Sequence, residues 1–140
     1  MSWLLDTCTL SEYVQRSPTP RVIAWLDEQD EASLFLSVVS LGEIEKGILT
    51  LRATDPIRSQ KLTAWLGQVE QRFAGRILSL DAAALHAWAQ LAARSELAGR
   101  PLPVLDGLIM ATAQCHGLTV VTRNTQDFEP LAQVFNPWLL

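Results

Sequence analysis

Three carboxylates stand where a fold could bring them together. Asp6 closes the apolar run SWLLD, Glu43 lies in SLGEIEK, and Asp106 follows the proline-containing stretch PLPVLD. Clustered carboxylates repel one another, and burying them unpaired costs several kcal/mol, on the order of the penalties for buried ions. A bound cation relieves that cost. No Cys or His cluster accompanies these acids, so the ligands would all be oxygen, which favours Mg2+ or Mn2+ over Zn2+. A cation held this way commonly acts on phosphate, polarising a phosphoryl oxygen and activating water for in-line attack. Each acid also has an ordinary reading: Asp6 as a helix cap, Glu43 as the far end of a capping box begun by Ser40, and Asp106 as a first-turn acid favoured by the helix dipole.

Rival chemistries can be checked against the same letters. The chain contains no G-x-x-x-x-G-K-[ST], no G-x-G-x-x-G and no G-x-S-x-G, which removes the P-loop, dinucleotide and hydrolase-elbow readings. A phospho-acceptor receiver would need paired acids after the first strand and a Lys after a late one, and neither is present. Cys8 and Cys115 are too few for a disulfide framework, and their spacing from His86 and His116 is wrong for zinc.

The elements that must position the acids follow from the hydrophobic pattern. SWLLD, SLFLSV, RILSL and LTVVT read as strands, with AQVFN as a fifth candidate. Between them, helices are expected over TCTLSEYVQRS, RVIAWLDEQD, SLGEIEKGILTLR with Ser40 as cap, and the stripe Leu62, Trp65, Leu66, Val69 and Phe73, which Gly75 ends. Asp81 is placed as the cap of a helix carrying Leu85, Trp88 and Ala92, and Gly117 as the end of the helix VLDGLIMATAQCHG. Strands separated by helices imply parallel βαβ units and a three-layer α/β/α fold with a central, mostly parallel sheet of about five strands. In such a sheet ligands bind beyond the strand carboxyl ends, which is where Asp6 and the polar cluster of VVTRNTQDF fall. Within that cluster Asp127 is expected to cap the next turn and hold Phe128 inward.

Composition bounds the rest. At 140 residues and 49% apolar content the chain fits a single domain over 1–140 with one well-buried core. No membrane span or leader is legible, so a cytoplasmic protein with no membrane partner is expected. The formal net charge of −4 argues against direct DNA binding through phosphate contacts, but not against an enzyme that meets phosphate through a cation. Five tryptophans exceed what the core needs to hide, which points to an interface for one or more of them.

LLDTCTLSE, SVVSLGEIEKGI, LPVLDGLIMATAQCHGLTVVTRNTQDF and VFNPW resemble, in order and spacing, the PIN-domain ribonucleases of bacterial toxin–antitoxin pairs, of the VapC and FitB type. The resemblance spans essentially the whole chain. It implies a PIN-like fold and a Mg2+- or Mn2+-dependent endoribonuclease, the toxin of such a pair. By that likeness Asp6, Glu43 and Asp106 are the catalytic, metal-site acids. Asp6 and Asp106 would hold the cation, and Glu43 would bind it through water or orient the attacking water. Thr7 and Ser11 would line the site, their ordinary alternative being capping of the first helix, and Thr122 stands with them as a supporting hydroxyl.

Two departures bear on this reading. Where many relatives read D-T-N this chain reads DTC, and where the FitB type carries T-R-D it reads TRN. Cys8 thus replaces an amide, and Asn124 occupies the expected fourth acidic position with Asp127 three residues on; both are candidates to complete the metal shell. These departures are the best support for the alternative, a catalytically impaired PIN-like module acting as an interaction or regulatory subunit. The likeness further implies a homodimer or larger assembly, an RNA substrate, a cognate antitoxin that blocks the acidic pocket, and DNA contact only through that antitoxin. Val22, Ile23, Trp25 and Leu26 are candidates for such contacts, the alternative being that they face the sheet.

Overall fold

The computed structural model describes residues 1–128 and 133–140. β1 (Trp3–Leu5) leads into a short helix, α1 (Thr7–Ser11), a 3-10 turn over Glu12–Val14, and α2 (Pro20–Glu28). β2 (Leu34–Ser37) passes directly into α3 (Val38–Leu51), and α4 (Pro56–Arg72) returns to β3 (Ile77–Leu78). α5 (Ala82–Leu97) and α6 (Val104–His116) then precede β4 (Thr119–Val121), α7 (Thr125–Phe128) and β5 (Val134–Phe135). Of the expected fifth strand AQVFN, Ala132 lies outside the described residues; Val134 and Phe135 form β5.

The five strands are all parallel, in the order β3-β2-β1-β4-β5. Leu4 pairs in register with both Phe35 and Val120, and Leu5 with Val121. Because side chains alternate across a strand, neighbours in sequence supply opposite faces of a sheet that is covered on both. Leu5 and Val121 enter one core with Leu10, Val22, Trp25, Leu26, Ile44 and Leu66 from α1 to α4. Leu4 and Val120 enter the other with Leu91, Ile109, Met110 and Phe128 from α5 to α7. This is the three-layer arrangement the alternation implied.

Several local expectations need correction. α3 is capped by Ser37, whose Oγ accepts from the Val39 N–H at 3.0 Å, and not by Ser40, which is buried one turn inside the helix. The helix expected over residues 7–17 stops at Ser11 and tightens into the 3-10 turn. Glu12 is buried there, and its Oε1 accepts from the Thr19 N–H at 2.7 Å, tying the turn to the start of α2. Asp127 lies inside the first turn of α7 rather than ahead of it, although Phe128 is buried as expected. Asp81 and Gly117 do cap α5 and end α6.

α2 turns Val22, Trp25 and Leu26 into the core, with Ile23 partly buried against it, so these residues face the sheet. All five tryptophans pack against one core or the other: Trp3, Trp25, Trp65 and Trp138 on one side, Trp88 on the other. Among the described residues no helix is long and apolar enough to cross a membrane.

Candidate active site

β1 has β2 on one side and β4 on the other, so the chain winds away from it in both directions. That makes its carboxyl end the switch point at which open α/β sheets form their ligand crevice. Asp6 is the first residue past that end, and its N–H donates to the Val121 carbonyl at 3.1 Å. It is 5% exposed. Oδ1 accepts from the Thr9 N–H at 2.9 Å, so Asp6 is the cap of α1 and at the same time a carboxylate at the switch point. Both readings of this residue hold together in one geometry.

Cys8 Sγ lies 3.1 and 3.2 Å from the two Asp6 carboxylate oxygens. Burial, reinforced by the Asp6 charge, pushes the thiol up to about 12. It therefore stays protonated at neutral pH and donates its S–H to the carboxylate. Cys8 thus supplies Asp6 with a donor, though a weaker one than an amide would be.

Glu43, half-buried on α3, is met from α1. Thr7 Oγ1 donates to Glu43 Oε1 at 2.7 Å and contacts Ser40 Oγ at 3.1 Å. Thr7 has one hydroxyl proton and the carboxylate can only accept, so the consistent arrangement is a relay in which Ser40 donates to Thr7 and Thr7 to Glu43. The capping-box reading of Ser40 and Glu43 is thereby replaced by a link between two elements. Ser11 lines a groove of about 280 Å3 with Thr7 and Glu43 on this side of the site.

Asp106 sits in the first turn of α6, after Pro103, and is partly buried. Burial raises its carboxyl above the ordinary carboxylate range, and the charges of Glu43, Asp127 and Asp6 raise it further. Four acids, from the cap of α1 and from α3, α6 and α7, thus share one field. Gly107, the next residue, lets α6 approach Trp88 of α5: a Cβ there would meet the indole at 3.1 Å.

Past β4, Thr122 is buried, and its Oγ1 accepts from the Asn124 N–H at 3.0 Å, folding the segment back toward α7. Its hydroxyl is engaged in that turn. Asn124 is exposed, and its carbonyl accepts from the Asp127 N–H at 3.1 Å. Asp127, also exposed, adds its charge to the Asp106 environment; the sequence named it only as a second candidate behind Asn124.

The set suits a hydrated hard cation. Among the described residues the ion pairs are Arg16–Asp55, Arg72–Glu31 and Arg76–Glu31, so no basic side chain neutralises the four acids. Among the same residues no three His, Cys, Asp or Glu side chains close into a preformed metal cage. Mg2+ does not need one: it keeps several of its waters and takes one or two carboxylates, with substrate phosphate supplying further oxygens. An open array of carboxylates that repel one another fits that requirement better than it fits Zn2+.

Comparison with known proteins agrees with this architecture. The chain is 36% identical over 140 residues to Toxin FitB of Neisseria gonorrhoeae, covering 96% of this chain and 97% of that protein. It is 35% identical over 138 residues to VapC ribonuclease Y4jK of Sinorhizobium fredii, covering 96% of each. A solved structure of FitAB bound to an IR36 DNA fragment superposes with a TM-score of 0.91 at 35% identity, over 99% of this chain and 96% of that one. The PIN domain profile matches residues 3–133, and with that match, the parallel five-stranded sheet and relatives similar over nearly their whole length, the chain belongs to the PIN-domain family.

Proposed function

We propose that this chain is the toxin of a toxin–antitoxin pair and an endoribonuclease that hydrolyses RNA phosphodiester bonds with Mg2+ or Mn2+. The observation that carries the proposal is that the charges of Glu43, Asp127 and Asp6 act on Asp106, with Asp6 at the sheet's switch point and no ion-pair partner for any of the four among the described residues. Acids in that state repel one another and the substrate phosphate alike, and a divalent cation reverses both effects. The names of the full-length relatives, a toxin and a VapC ribonuclease, support the biological class.

In this proposal Asp6 and Asp106 hold the cation, with the Asp127 charge adding to its attraction. When bound, the cation supplies Lewis-acid stabilisation of charge on the phosphoryl oxygens and eases deprotonation of water. Glu43 orients the attacking water. Its Oε1 is fixed by the Thr7 hydroxyl, and its other oxygen accepts the water's hydrogen bond. Attack in line on phosphorus breaks the bond to the leaving ribose oxygen. Cys8 steadies Asp6 through its S–H, which weakens the case for an impaired, binding-only module built on the loss of the amide at that position.

The FitAB structure, a complex described as bound to DNA, supports an antitoxin partner that carries the DNA contact. Such a division of labour suits a chain of net charge −4. Homodimerisation belongs to the same proposal.

The test is cleavage of RNA by the purified chain with Mg2+ or Mn2+ and its loss on chelation. Asp6→Asn is the informative variant, because Asn preserves the α1 cap while removing the charge. Asp6→Asn and Asp106→Asn are each expected to lower turnover at least about 100-fold, the effect of removing a group that stabilises transition-state charge. Identical RNA patterns from wild type and both variants would defeat the proposal.

A further inference from the structure

Beside the acids lies a cleft of about 350 Å3 walled by the end of α5, the connection to α6, and α7. Asp127 stands in its wall, so the cleft is continuous with the acidic site. Arg94 and Arg100 also line it. Their shared placement comes from the way α5 ends: Gly99 takes a φ of 73°, its N–H donates to the Glu96 carbonyl at 3.0 Å, and the Arg100 N–H donates to the Ser95 carbonyl at 2.9 Å. This Schellman reversal turns the chain back so that Arg100 joins Arg94 at the same cleft. Any side chain at position 99 would be strained in that conformation.

A cation in the last turn of α5 complements the helix dipole, which accounts for Arg94 but not for Arg100, placed after the helix has ended. Both side chains are exposed, and among the described residues neither forms an ion pair. Leu102 and Pro103 give the cleft an apolar surface, and Gln126 offers an amide. Its volume falls within the roughly 300–1,000 Å3 of small-molecule sites, enough for a nucleotide and too small for a duplex.

We propose that this cleft is the subsite for the RNA nucleotide next to the scissile phosphate, with Arg94 and Arg100 holding its phosphate and the Leu102–Pro103 surface taking its base. The assignment rests on the nuclease reading of the adjoining acids. Guanidinium groups bind phosphate in paired hydrogen bonds, and single strands are held by a cationic groove beside a surface on which bases pack, a surface that aromatic rings usually supply and that Leu102 and Pro103 supply here. In an acidic protein the pair also sets a direction for the strand: its phosphate is drawn to the arginines, and its neighbour is delivered to the acids.

Arg94→Gln, Arg100→Gln and the double variant test this with a short single-stranded RNA. Cleavage gives KM and kcat, and fluorescence anisotropy in an Asp106→Asn background gives Kd. Each single substitution is expected to raise KM and Kd about 10-fold at low salt, with kcat within about twofold and unchanged melting. The slope of log Kd against log salt should shrink by about 0.7 per arginine removed. Unchanged KM, Kd and slope in the double variant overturn the assignment. So does tighter binding of a poly-aspartate peptide than of RNA, lost with the same substitutions, which would make the occupant a protein segment. If the wild type cleaves nothing, the nuclease reading fails, and the binding arm still judges the cleft: arginine-dependent RNA binding supports it and arginine-independent binding rejects it.

Discussion

Asp6 shows why a single residue can satisfy two readings without choosing between them. Its Oδ1 caps α1 through Thr9, while the carboxylate as a whole belongs to a field of four acids. Asp106 is where that field is felt. Burial and the charges of Glu43, Asp127 and Asp6 make ionising this carboxyl more costly in the folded chain than in the unfolded one. Stability is therefore lost as pH climbs from the ordinary carboxylate range through the raised one. Without divalent metal, Asp106→Asn should melt above wild type at pH 7, with the difference fading as pH falls below the ordinary carboxylate range. Equal melting of the two proteins at neutral pH would contradict this. Asp6, Glu43 and Asp106 could be nominated from the sequence because each lies at an expected strand end or helix start, which one edge of a parallel sheet brings together. The weight carried by Asp127 was not legible there, since its influence acts through space, from an exposed first-turn position on α7 onto α6.

Alternating strands and helices followed from hydrophobic periodicity, but their ends were set by partners that periodicity does not contain. The stretch Ser37-Val38-Val39-Ser40 offers two serines with the same capping chemistry. β2 resolves the choice: Ser37 is still paired with Leu78 of β3, so the helix begins at the next residue and Ser37 becomes its cap. Ser40, displaced inward, is freed to meet Thr7. In urea unfolding, Ser37→Ala should cost about 1 kcal/mol, the usual loss of a cap, and Ser40→Ala less than that, because the lost hydrogen bond to Thr7 is partly offset by the higher helix propensity of Ala. The reverse order would restore Ser40 as the cap. The same logic shortens the first helix, where buried Glu12 bonds forward to Thr19 instead of continuing the periodic pattern.

The molecule as a whole turns separated acids into a site by its strand order. With β1 between β2 and β4, the chain's first strand lies beside its fourth, and backbone hydrogen bonds join residues more than a hundred positions apart, as where the Asp6 N–H donates to the Val121 carbonyl. Asp6 and Glu43 on one side and Asp106 and Asp127 on the other are carried by elements of both layers, so a cation that they held would stabilise the entire fold. At about 10 times its Kd, linkage adds about 1.4 kcal/mol, a rise of roughly 5 °C in Tm for a chain of this size. Wild type should show that rise with Mg2+ but not with NaCl at matched ionic strength, and Asp106→Asn should lose most of it; an equal rise in the variant would place the cation elsewhere. Composition and periodicity were sufficient for the layered parallel fold, because the burial of apolar stripes is written locally, and they nominated three of the acids only by their places at expected strand ends and helix starts. The tertiary structure alone decided the Ser40–Thr7–Glu43 relay, the reach of Asp127 and the arginine-lined cleft. Those depend on distances between elements, and strand order and helix termination set such distances over spans that no local pattern records.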